Sequence, residues 1–182
     1  MWQAARMGGE GALDASSLPA FVAELAAKSD LVWVQVGNQP ARPLWSVWSL
    51  DAIAVVTDGI EQPNPGLTDN GSVTVIVRSR ENRARQVAVV STVEELVPGS
   101  ESWDVAVKAL HPKRLNAPDG ERQPGRWAEE SSIWLIHPTA EVIEQPGAQP
   151  DASLRAVPMA TEATTVNHTP FHAGRATKKR RR

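Results

Sequence analysis

The stretch "LVWVQVGNQPARPLWSVWSLDAIAVVT" (31–57) decides how the chain is read. It holds three apolar runs, divided by the turn "GNQPA" and by a tight Leu50-Asp51 link. Short runs rich in Val, Ile and Trp between such punctuators read as strands. Residues 31–36, 42–50 and 52–57 are therefore expected to form a three-stranded antiparallel meander. Side chains alternate along a strand, so Leu44, Ser46, Trp48 and Leu50 share one face of the middle run. Trp45, Val47 and Ser49 share the other. Both faces carry bulk, and both are expected to be covered. Trp45 and Trp48 point opposite ways. One is expected to enter the core and the other to meet a partner or a ligand, with plain core or interface packing as the alternative for both.

Working outward, "SSLPAFVAELAAKSD" (16–30) reads as a helix capped by Ser16 or Ser17, with Pro19 in its first turn. Leu18, Phe21, Val22 and Leu25 form its apolar stripe. After the meander comes a loop, "DGIEQPNPGLTDNG" (58–71), with three acidic residues and no Lys or Arg. "SVTVIVRS" (72–79) alternates, with Val73, Val75 and Val77 expected inside. "RQVAVVSTVEELV" (85–97) is a further strand. "ESWDVAVKAL" (101–110) is a helix with Trp103, Val107 and Leu110 on one side. Residues 111–130 form a polar, proline-punctuated excursion, and long loops of this kind are often functional. "SSIWLIHP" (131–138) is the last strand. The expected fold is mainly β with flanking α-helices: six short strands that suit a closed or partly open antiparallel barrel. Residues 1–15 are expected to be a flexible N-terminus, 16–145 the barrel domain, and 146–182 a largely disordered tail with a basic end.

Composition narrows the chemistry. The 182 residues include no cysteine, which excludes disulfides, thiolate nucleophiles and thiolate metal sites. No apolar run approaches the roughly 20 residues that cross a bilayer, and residues 1–17 lack the apolar core of a signal peptide. A cytoplasmic protein without membrane contact is expected. Five of the 19 basic residues lie in "KKRRR" (178–182), leaving 14 against 21 acidic ones in the body. Such a body is a poor partner for nucleic acid. The tail is read as a solvated end or as a local nucleic-acid contact. His168 and His172 have helical ligand spacing, but "VNHTPFHAG" offers them no helix, and no metal is expected. No nucleophile elbow, GxGxxG or P-loop occurs.

The order of these elements resembles a known family. A capped helix, the hairpin "DLVWVQVGNQPARPLWSVW", a strand ending "VVTDG", a loop, two long strands, a helix after "PGSESW" and a strand ending "IHPTAEV" look like the pyridoxamine 5'-phosphate oxidase-like FMN-binding split barrels. The likeness covers about residues 16–145. It implies a six-stranded antiparallel split β-barrel, a homodimer, and FMN at the subunit interface. It further implies flavin contacts from Ser46, Val47 and Trp48, and from Thr57, Asp58 and Gly59. Members usually place a Lys or Arg in the next loop to hold the phosphate. Here those positions read Glu61, Gln62, Pro63, Asn64 and Pro65. Glu61 is expected to repel a phosphate, and prolines lend it no N–H.

Replacement cations are sought elsewhere. Arg78, Arg80, Arg83 and Arg85 surround the turn after the fourth expected strand. They read either as phosphate contacts, Arg78 foremost, or as solvated charges that keep a sheet edge from pairing. In the excursion, Lys113, Arg114, Asn116, Arg126 and Trp127 can converge on a flat anionic ligand. Alternatively, Arg114 pairs with Asp119 or Glu121 while Trp127 anchors the excursion to the barrel. Two functions stay open: an FMN-dependent oxidoreductase of unknown substrate, its cleft equally suited to a deazaflavin or haem, and a cofactor-free binding module on the same fold. No catalytic side chain is identified.

Overall fold

The computed structural model describes residues 18–81 and 84–145. The expected flexible N-terminus, the tail with its histidines and basic end, and Arg83 lie outside the described residues. Among the described residues seven strands and three α-helices follow one another. They are α1 (Leu18–Ala27), β1 (Leu31–Gln35), β2 (Arg42–Trp45), β3 (Val47–Ser49), β4 (Ala52–Thr57), β5 (Ser72–Arg78), β6 (Arg85–Glu95), α2 (Glu101–Leu110), α3 (Gln123–Glu130) and β7 (Ser132–Glu144). Short 3₁₀ turns at His111–Lys113 and Gly120–Arg122 lead from α2 to α3.

The strands form one antiparallel sheet in the order β2-β1-β5-β6-β7-β4-β3. Its first and last members are separated in sequence by Ser46 alone. Two residues of extended chain span about 7 Å, so the two edges of the sheet must meet. The sheet is therefore curled into a β-dominated, split-barrel-like fold. The expected single strand 42–50 is corrected here, and seven strands replace six. The backbone N–H of Ser46 still reaches back to the Asp30 carbonyl at 3.2 Å. From Val47 onward the partner is β4, with Val47 opposite Ala54. The meander is real, but its middle run turns a corner between its two neighbours. Leu50 and Asp51, with φ of 54° and 53°, make the two-residue turn into β4.

Alternation through the corner gives two cores. Leu44 and Trp48 pack toward the barrel interior with Val32, Val75, Val89 and Ile136, and α1 adds Leu18, Val22 and Ala26. Trp45 and Val47 join a second cluster on the outer face of β4 and β7. There Ala54, Val56, Ile133 and Leu135 are covered by Trp103, Val107 and Leu110 of α2 and Trp127 of α3. Every residue of β4 is buried, as a strand covered on both faces requires. Ser100 caps α2 by accepting the Trp103 N–H. The excursion 111–130 is thus not a bare loop. It contains α3, which was not expected, because "QPGRWAEE" has Pro124 and Gly125 in its first turn. Proline is tolerated in a first helical turn. The last strand also runs past the expected Pro138 to Glu144, with irregular register against β6 on the way.

Gln62 holds the seam of the barrel. Its Oε1 accepts the Trp45 N–H at 2.7 Å, and its Nε2 donates to the Trp45 and Val56 carbonyls at 2.9 and 3.0 Å. One side chain thereby ties the outer edge of β2 to β4. Each such bond contributes about 1 kcal/mol net. Gln62→Ala is expected to lose about 2–3 kcal/mol in urea unfolding and to abolish exchange protection of the Trp45 amide. Gln62→Glu should not rescue it, because a carboxylate faces two carbonyl oxygens. A loss within experimental error, with the Trp45 amide still protected, would refute this role.

Candidate ligand site around Glu61

The loop after β4 starts under constraint. Asp58 and Gly59 both have left-handed φ, 70° and 58°. A Cβ on Gly59 would lie 3.0 Å from the Glu130 carbonyl and 3.2 Å from the Ser131 hydroxyl. Only glycine lets the loop pass this close to the end of α3. Beside it, the Thr57 hydroxyl accepts the Trp134 indole N–H and donates to Asp58 Oδ2, both at 2.9 Å.

Glu61 follows, and its side chain is 3% exposed. Its Oε2 accepts from Arg114 Nε at 2.7 Å, and its Oε1 from Arg126 Nη2 at 2.9 Å and Trp127 Nε1 at 3.0 Å. Arg126 also donates from Nε to Asp119 Oδ2 at 2.7 Å. Two arginines and two carboxylates therefore cancel within one cluster. Burial pushes the Glu61 carboxyl up, but the bonds from Trp127, Arg114 and Arg126 outweigh it and hold the group below the ordinary glutamate range. The Arg126 hydrogen bond lowers Asp119, and that same bond, with Glu61 helping, raises Arg126. Trp127 is fully buried, and the His111 ring meets it edge-on at 6.4 Å. This is the anchoring expected as the alternative for Trp127, with the partners exchanged: Arg126 takes Asp119, and Arg114 takes Glu61.

A cleft of about 600 Å³ opens beside this cluster, lined by Asp30, Trp45, Glu61, Gln62, Pro112, Lys113, Arg114 and Leu115. Of the residues read as flavin or phosphate contacts, Lys113 and Arg114 reach this cleft, joined by Gln62 of the loop, while Arg126 and Trp127 hold Glu61. Ser46 is buried at the corner, and Val47 and Trp48 are half-buried in packing. Thr57 and Asp58 close on each other, and Gly59 serves the backbone. Arg78 lies in a different cleft, with its guanidinium 4.7 Å from the Trp33 ring centroid.

The residues fit a flat ring beside Trp45 with one anionic arm on Lys113 and Arg114. A phosphate seated inside the loop meets a different situation. The N–H groups of Asp58, Glu61, Gly66, Leu67, Asn70 and Gly71 are already bonded within the loop or to β6. Sequence reading missed the role of Glu61. Its partners lie 53 and 65 residues away, and no local pattern links an acid to such distant arginines. Among the described residues no group of three or more His, Asp or Glu could hold a metal, and no helix is long and apolar enough to cross a membrane. Comparison with known proteins finds no matching family model and no matching curated protein.

Proposed function

We propose that this chain is a split-barrel binding protein of pyridoxamine 5'-phosphate oxidase-like type, taking a flat anionic ligand with FMN as the first candidate. The observation that carries the reading is the cleft that Trp45, Lys113 and Arg114 line together. Trp45 offers the ring a flat apolar surface. Lys113, which has no ion pair among the described residues, and Arg114 meet the phosphate. Pro112 and Leu115 add apolar surface to the same lining. FMN, when bound, supplies hydride transfer, and the protein supplies orientation and electrostatics. The same reading includes a cytoplasmic homodimer acting as an oxidoreductase.

A second reading, a cofactor-free module, is favoured by Glu61. Its carboxylate already satisfies Arg114, the arginine that a phosphate in this cleft would use. Titration of the purified full chain with FMN separates the two. The flavin reading expects saturable binding, read by quenching of flavin fluorescence, and about tenfold weaker binding in Lys113→Ala. No saturable binding at millimolar FMN would leave the cofactor-free module.

A further inference from the structure

We propose that Arg78 and Trp33 form a second, separate site for a compact oxyanion carried by a small molecule. Arg78 ends β5, and its guanidinium stacks on Trp33 of β1. Together with Lys28, Pro43 and Arg80 they line a cleft of about 550 Å³ whose one acidic lining residue is Asp30. Lys28 is tied to Glu24, outside that lining, in an exposed pair.

Three facts set Arg78 apart. First, the other part-buried arginines described here have acids: Arg85 has Glu144, Arg114 has Glu61, and Arg126 has Asp119 and Glu61. Arg78 has no acid and no hydrogen-bond acceptor among the described residues. Second, its Nε–H is sealed from water without a partner. That costs free energy, and an anion bound to the other guanidinium N–H groups offsets it by pairing the charge. Third, Arg78 lies two residues past the last β1–β5 pair, Trp33 opposite Ile76, which brings it diagonally onto the Trp33 ring. The indole fixes the plane of the guanidinium, which leaves its fork oriented for two parallel bonds to one oxyanion. Arg78 does not line the cleft beside Trp45, so this site stands whether or not FMN binds there.

The test is calorimetric titration of the full chain with inorganic phosphate and, separately, acetate, at ionic strength held constant with chloride. Saturable binding of at least one of them is expected in the wild type. It should weaken about tenfold in Arg78→Gln, weaken also in Arg78→Lys, which keeps the charge but loses the fork, and persist in Lys113→Ala. Phosphate alone binding identifies a phosphate site, and both binding identifies a general oxyanion site. Circular dichroism confirms that each variant is folded, and Trp33→Leu, which keeps Arg78 but removes its platform, gives an independent loss. The proposal is overturned if neither ion binds saturably to the wild type, or if folded Arg78→Gln binds as the wild type does.

Discussion

Glu61→Ala is expected to unfold about 3 kcal/mol more easily than the wild type, the cost of removing one partner from a buried ion pair. The change leaves Arg114 without its acid, leaves Arg126 with Asp119 alone, and strands the indole N–H of fully buried Trp127. Urea denaturation at neutral pH measures it, and a loss within error would mean that the cluster contributes nothing. The pH dependence has a definite sign. The folded-state pKa of Glu61 is depressed. Its contribution is therefore complete above the unfolded glutamate value and disappears as pH falls through the folded one. In the wild type, stability should drop across that acid range. In Glu61→Ala the corresponding part of the drop should be missing. Glu61→Gln is informative in a second way. It keeps the shape but removes the internal anion, so Arg114 becomes available while Arg126 keeps Asp119. If Glu61 stands where a ligand's phosphate could lie, this variant should bind FMN or inorganic phosphate more tightly than the wild type does, although it is less stable.

Trp127→Ala carries the other large effect, about 4 kcal/mol of lost stability. The side chain is completely buried between α3 and the outer face of β4 and β7. Its removal opens a cavity under the helix and deletes one of the three donors to Glu61. Trp127→Phe separates these terms, because it keeps most of the packing and loses the N–H. It should cost about 1.5–3 kcal/mol, the contribution of one hydrogen bond to a charged group. The same replacement made in Glu61→Ala should cost much less, since the indole N–H there is already without an acceptor. A double-mutant cycle with a coupling near zero would show that Trp127 and Glu61 act independently.

Much of the barrel is legible in the sequence because strand period and burial coincide. Val73, Val75 and Val77 are inside as their alternation requires, and Trp103, Val107 and Leu110 form the buried side of α2. The corner at Ser46 is not legible. Alternation passes through it unbroken, with Leu44 and Trp48 in one core and Trp45 and Val47 against the other. Period reports which face a side chain takes. It carries no information about which strand lies alongside, and that is what changes at Ser46. Helix α3 is hidden for a different reason. It is short, has Pro124 and Gly125 in its first turn, and owes its position to Trp127, whose hydrogen-bond partner lies 66 residues away. Around Glu61 the sequence offered some of the residues but not the network that joins them. Gln62, Arg114, Arg126 and Trp127 do lie around one loop, but Glu61, read as a charge that would repel a ligand, is the acceptor that gathers three of them.

That carboxylate is ionised, buried and held by two arginines. Carbon-13 NMR of the Glu61 side-chain carboxyl, followed as the pH is lowered through the acid range, tests this most directly. The expected result is a midpoint below the ordinary glutamate value, with slowly exchanging guanidinium protons on Arg126 and Arg114. A midpoint at or above that value, with arginine protons that exchange as freely as those of an exposed side chain, would contradict it.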